Sequence, residues 1–156
     1  MESEFAKGFT QRLEAFGDGL ADNVGSALAL GEPTAVQVLR FFLEAACQSQ
    51  RMEAIELGRR NLLSLPRSWV LGAIENAAKS TLDLTDEYEY RRLLEVTVLL
   101  GNREAVKRLI DLGRKSDDSD LNDTAKEFED SATEPDLAVA KVRRVSLPGF
   151  MRQSAA

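Results

Sequence analysis

The chain has 156 residues, a usual length for one domain, and its 44% hydrophobic and 29% charged residues are typical of a globular protein. The sequence has no histidine, so it lacks the commonest acid–base group and the commonest transition-metal ligand. The one cysteine, Cys47, excludes an internal disulfide and lies in an apolar run, so we expect a buried thiol in a reducing compartment.

The N-terminus, residues 1–5, is acidic and lacks the basic start and apolar core of a signal peptide. No run in the sequence approaches the roughly 20 apolar residues that span a bilayer. The sequence therefore predicts a cytoplasmic protein that does not enter a membrane.

The first segment, residues 1–31, repeats apolar residues every three or four positions, which predicts one long amphipathic helix. Its glycines each weaken a helix by up to about 1 kcal/mol relative to alanine, so the helix needs tertiary or partner packing. The stripe is interpreted first as core, and alternatively as a surface that docks in the groove of a partner protein. Its members are Phe5, Phe9, Leu13, Phe16, Leu20, Val24 and Ala27.

Residues 32–132 are predicted to form a core of several helices. Pro33 suits the first turn of a second helix, which is apolar on nearly all sides from Val36 to Cys47 and should therefore be central. A third helix is expected from about Arg51 to Leu63, and a fourth begins at Pro66. The residues expected to face inward on these two helices are Met52, Ile55, Leu62, Leu63, Trp69, Val70, Ala73, Ile74, Ala77 and Ala78.

Three more helices follow in the pattern. Thr85 or Asp86 is expected to cap the fifth, and Asn102 the sixth, for which Gly113 is a natural residue just past the end. A short seventh helix should pack through Leu121, Ala125 and Phe128. Strand signals do not compete, so the fold class is all-α, with antiparallel helical hairpins stacked as a short solenoid or irregular bundle of about six to seven helices.

The two halves of this core resemble each other. Residues 43–47 and 53–55 match residues 94–98 and 104–106 at an offset of 51, with leucine, glutamate and alanine repeated. Residues 94–113 also resemble the helix–turn–helix half of an ankyrin repeat, with a Gly-Asn turn, a Glu-Ala-Val-Lys start and a closing glycine. The Thr-Pro-Leu-His signature of that family is replaced by residues 90–93, and the period differs. The resemblance implies a divergent α-solenoid, similar in local packing to ankyrin or HEAT-type proteins, and such folds generally bind proteins.

The sequence argues against catalysis. A single cysteine cannot build a zinc site, and a phosphate-binding glycine loop would need a strand before it. The stretch that begins at Asp117 is similar to a calcium loop, but counted from Asp118 the sixth position is Asp123 and not glycine. We therefore expect no enzyme activity, no cofactor and no metal, and interpret these carboxylates as a solvated acidic face.

The charge is unevenly distributed. Residues 117–136 hold nine acids against Lys126 alone, a net of −8, whereas residues 137–156 carry +4. Nucleic acid requires a basic face, and only the short tail is basic, so nucleic acid is not expected as a partner. The acidic stretch could instead steer a basic partner protein, through Asp117, Asp118, Asp120 and Asp123.

The tail, residues 133–156, is predicted to be flexible and basic. Arg143 and Arg144 are candidate partner contacts, and residues 143–147 resemble the target of basophilic kinases, which makes Ser146 a candidate phosphorylation site. Together these patterns favour a protein-binding adaptor or chaperone-like module with a groove between stacked helices. The alternative is an inhibitor or immunity-type protein that blocks a basic enzyme through residues 117–136.

Overall fold

A computed structural model describes residues 1–129, and this part of the chain contains helices and turns but no strand. It divides into two compact units, the first Met1–Leu82 and the second beginning at Asp83. The fold class is therefore all-α, as predicted. The division after Leu82 is not one that the sequence pattern indicated.

The first unit holds four α-helices and one 3₁₀ segment. Their bounds are α1 Glu4–Glu14, the 3₁₀ segment Val24–Leu30, α2 Glu32–Gln48, α3 Met52–Ser64 and α4 Arg67–Thr81. Pro33 lies in the first turn of α2, as its fixed φ favours. Helix α2 is the centre of the unit, because it packs against α3, α4 and the 3₁₀ segment. Its fully buried side chains include Phe42, Leu43 and Cys47, which confirms the predicted buried helix and thiol.

The prediction of one long N-terminal helix over residues 1–31 is wrong. Helix α1 ends at Glu14, and Gly19 adopts a positive φ of 81°, a backbone region that only glycine enters without strain. The Leu20 N–H then donates to Oε2 of Glu14, at 3.1 Å, which closes the turn. Leu20 and Ala27 are nevertheless buried, so the apolar period marked core positions although the helix stops.

Close backbone packing holds α2 against α3. A Cβ atom added at Gly58 would lie 2.6 Å from the backbone nitrogen of Ala46 and 2.8 Å from the carbonyl oxygen of Phe42. Only glycine permits this approach. On the same helix, Ile55 and Leu62 face the core as expected, but Leu63 is 42% exposed, so its inward assignment is wrong.

The described residues of the second unit, 83–129, form α5 Glu87–Leu100, α6 Arg103–Arg114 and α7 Ser119–Glu127. Asp86 caps α5 by accepting from Glu89 N–H at 3.1 Å, and Asn102 caps α6 by accepting from Ala105 N–H at 3.2 Å. Both caps confirm the predicted helix starts. Among the described residues, one core cluster of this unit contains Tyr90, Leu94, Val98, Val106, Ile110, Leu121, Ala125 and Phe128. The last three confirm the predicted packing face of α7.

Gly113 corrects one further prediction. It lies inside the last turn of α6 and not past its end, since the helix continues to Arg114. A Cβ atom at Gly113 would overlap the hydroxyl of Tyr90, which in turn donates a 2.6 Å hydrogen bond to the carbonyl of Leu109. Because Gly113 has no side chain, the Tyr90 hydroxyl can occupy this space.

Candidate functional site

A groove between α2 and α4 in the first unit encloses about 480 Å³. It is a surface groove with a mainly apolar lining. Its lining residues are Glu32, Val36, Ser68, Trp69, Gly72, Ala73, Asn76, Ala77 and Ser80.

The side chains that α4 contributes to this groove are small, so they leave the groove open. Ser68, Gly72, Asn76 and Ser80 recur every fourth residue and are all exposed, so they lie along one side of the helix. A Cβ atom at Gly72 would meet no atom within 4 Å, so the space above this residue is open. The opposite face of α4 is core, with Val70 and Ile74 buried.

A large aromatic side chain stands at one end of the groove. Trp69 is half-buried, and its indole N–H donates a 3.0 Å hydrogen bond to Oε2 of Glu32 in the first turn of α2. The bond fixes the ring beside an exposed carboxylate. An indole held in this way presents apolar surface without a further loss of side-chain freedom on binding.

Hydrogen bonds also connect the two helices at the other end. Arg40 Nε donates to the Thr81 hydroxyl at 3.0 Å, and Gln48 Nε2 donates to the Thr81 carbonyl at 3.0 Å. The pairs Glu32–Trp69 and Arg40–Thr81 show that α2 and α4 run in the same direction. The groove is therefore fixed at both ends by bonds that the fold itself makes.

The lining of the groove combines apolar surface with one carboxylate, hydroxyl groups and an amide. Among residues 1–129, no group of three potential metal ligands is arranged to hold an ion.

Most residues of the predicted N-terminal stripe pack in the core of the first unit. Phe9 and Leu13 are buried, and the Phe9 ring stacks on Phe41 with centroids 4.7 Å apart. Phe5 and Phe16 are half-buried at the margins of this aromatic cluster. Contact of a partner with Phe9 or Leu13 would therefore require α1 to leave the core.

The predicted acidic residues lie together around the start of α7, and their side chains are exposed: Asp117, Asp118, Asp120 and Asp123. Asp118 has a structural task as well, because it accepts from the backbone N–H groups of Asp120 and Leu121 at 2.8 and 3.4 Å. One turn after Asp123, Glu127 accepts two hydrogen bonds from Arg91, which attaches α7 to α5. The remaining predicted contacts, Arg143 and Arg144, and the phosphorylation candidate Ser146 lie outside the described residues.

Sequence reasoning missed the groove. Trp69 and Ala73 were assigned to the core with the other apolar residues of α4, but they line the open groove. The available signal was the set of small polar or absent side chains at every fourth position beside the only tryptophan. Apolar period alone does not separate a core face from a groove face.

Comparison with protein-family models, with curated proteins and with solved structures finds no match to this chain. In the described residues, no helix is long and apolar enough to cross a membrane.

Proposed function

We propose that this protein is a protein-binding module and that its partner docks in the groove between α2 and α4. The observation that carries the proposal is the groove itself: an open, mainly apolar surface on a hydrogen-bonded pair of helices, with Trp69 held at one end. Tryptophan is enriched among residues that dominate interface energies. Small side chains along α4 leave room for an incoming helix to lay its apolar face in the groove.

We also propose the two finer features that the sequence predicts. The module acts as an adaptor or in a chaperone-like role, and its fold is a divergent helical repeat. One observation supports the repeat. The two segments of similar sequence, residues 43–55 and 94–106, lie on the helix pairs α2–α3 and α5–α6, one pair in each unit. Repeats of this kind bury apolar faces against neighbouring helices and leave grooves between them.

A blocking substitution tests this function. Gly72→Arg places a long side chain over the groove, where the space is open, and Gly8→Arg makes the same change on α1, where a Cβ atom also meets nothing within 4 Å. We expect the wild type and Gly8→Arg to recover the same identified protein in a pull-down, and Gly72→Arg to lose it. Recovery by all three variants would contradict a groove-dependent partner.

The exposed carboxylates of α7 favour one second candidate, an acidic inhibitor that blocks a basic enzyme. Residues 83–129 hold thirteen acids against eight bases, and Asp117, Asp120 and Asp123 are exposed. Salt separates the two functions. Binding through these carboxylates should weaken steeply as ionic strength rises, whereas docking in the apolar groove should change little. A version of the chain that ends at residue 136 tests whether the segment that contains Arg143 and Arg144 contributes to binding of the partner.

A further inference from the structure

Opposite charges lie near the two ends of the exposed side of α4. Glu32, beside Trp69, supplies an exposed carboxylate near the start of this helix. Lys79, ten residues after Trp69, supplies an exposed ammonium in its last turn. At 1.5 Å per residue, the two levels are about 15 Å apart along the helix axis.

We infer that the polypeptide that docks in this groove is a second copy of this chain, with the two α4 helices antiparallel about a two-fold axis. The inference rests on the proposed function, because it names the occupant of that groove. In an antiparallel pairing centred on residue 74, Trp69 and Glu32 of one copy are level with Lys79 of the other. The contact is isologous, so the axis makes each such pair twice.

Charge complementarity selects this pairing. The Lys79 ammonium of the second copy meets the Glu32 carboxylate, and its alkyl chain covers the Trp69 ring. The other charged residues of α4 oppose neutral partners: Arg67 is level with Thr81, and Glu75 is level with Ala73. A parallel pairing in register would set Lys79 against Lys79, which repels.

The same pairing places small residues opposite one another. Gly72 of one copy is level with Asn76 of the other, and Ser68 is level with Ser80. Because a Cβ atom at Gly72 would meet nothing within 4 Å, the backbone of the second α4 can approach at this point. Close approach brings Val36 and Ala73 of each copy out of water in the same contact.

Sedimentation equilibrium of the full chain tests the inference. We expect the wild type and Gly8→Arg to form a dimer, and Gly72→Arg to remain a monomer. Glu32→Lys and Lys79→Glu should each weaken the dimer by on the order of tenfold or more, because each charge acts at both ends of the contact. The double variant Glu32→Lys/Lys79→Glu should dimerise more strongly than either single variant, since it restores the opposite charges, although a lysine at position 32 cannot accept the Trp69 N–H. Circular dichroism checks that every variant keeps its helices.

Recovery in the double variant is the decisive result, because a general loss of fold cannot produce it. A wild type that stays monomeric at all concentrations would overturn the inference, as would a dimer that none of these substitutions weakens. A monomer that still captures a different protein in a Gly72-dependent manner would overturn the second copy as occupant but leave the proposed function standing. A monomer that captures none would count against both.

Discussion

The indole N–H of Trp69 donates a hydrogen bond of 3.0 Å to Oε2 of Glu32, which connects the first turn of α4 to the first turn of α2. The bond places the one tryptophan of the chain at the end of an open groove, with its polar atom already satisfied. What remains for a partner is the apolar surface of the ring and the charge beside it. This combination makes the groove the best candidate for contact with another protein.

Glycines on α3 and α4 should respond to alanine in opposite ways. Gly72→Ala should raise the free energy of unfolding by about 0.5–1 kcal/mol, because the space is open and alanine favours a helix. Gly58→Ala should lower it by about 1–3 kcal/mol, since the added methyl group would collide with the backbone of α2. Urea unfolding measures both changes. A shift in the same direction would contradict the described packing.

The N-terminal stripe should prove to be core. Phe9→Ala should lower the free energy of unfolding by about 3–5 kcal/mol, because Phe9 is buried and stacks on Phe41. Phe5→Ala is the control, and we expect a loss below about 2 kcal/mol because Phe5 is only half-buried. Thermal and urea unfolding measure the difference. If both variants lost equally little free energy of unfolding, Phe9 would not be a core residue, and its predicted role in partner contact would stand.

One of the four acidic candidates should matter for folding. Asp118→Ala removes the N-cap of α7 and should cost about 1 kcal/mol. The neighbouring Asp117→Ala leaves the cap in place and should change stability by no more than about 0.5 kcal/mol. Urea unfolding followed by circular dichroism detects this. Equal losses of stability in the two variants would show that the N-cap is not the cause.

Stability of the second unit should fall at high pH because of Tyr90. Burial raises the pKa of Tyr90 to about 12, above its ordinary value near 10. Between these two values the unfolded chain has lost this proton while the folded chain keeps it, so unfolding is favoured as the pH rises. Urea unfolding across this range should show the fall in the wild type and in Tyr88→Phe, and a smaller fall in Tyr90→Phe. The same slope in all three proteins would show that another group causes it.

The sequence predicted those parts of the fold that are set by local chemistry. Asp86 and Asn102 cap helices because their short side chains reach the next turn, and that information lies within four residues. Where tertiary contacts decide, local patterns failed. Gly113 resembles a helix end, but it lies inside α6 because the Tyr90 hydroxyl occupies the space of a side chain.

The apolar period of α4 did not reveal the groove, for a similar reason. Trp69 and Ala73 share the apolar period of α4 with Val70 and Ile74, and the period does not say which neighbours cover each face. That depends on where α2 packs. The hydrogen bonds from Arg40 and Gln48 to Thr81 fix this placement, and they join residues more than 30 positions apart in the chain.

The emission of Trp69 tests the role of the groove most directly, because it is the only tryptophan in the chain. Its spectrum should be recorded as the protein is concentrated, and again as any protein recovered in the pull-down is added. We expect a shift to shorter wavelength in at least one titration, in the wild type and in Gly8→Arg but not in Gly72→Arg. An emission that stays constant in both titrations would show that the groove remains open to water, and would contradict its role as the docking surface.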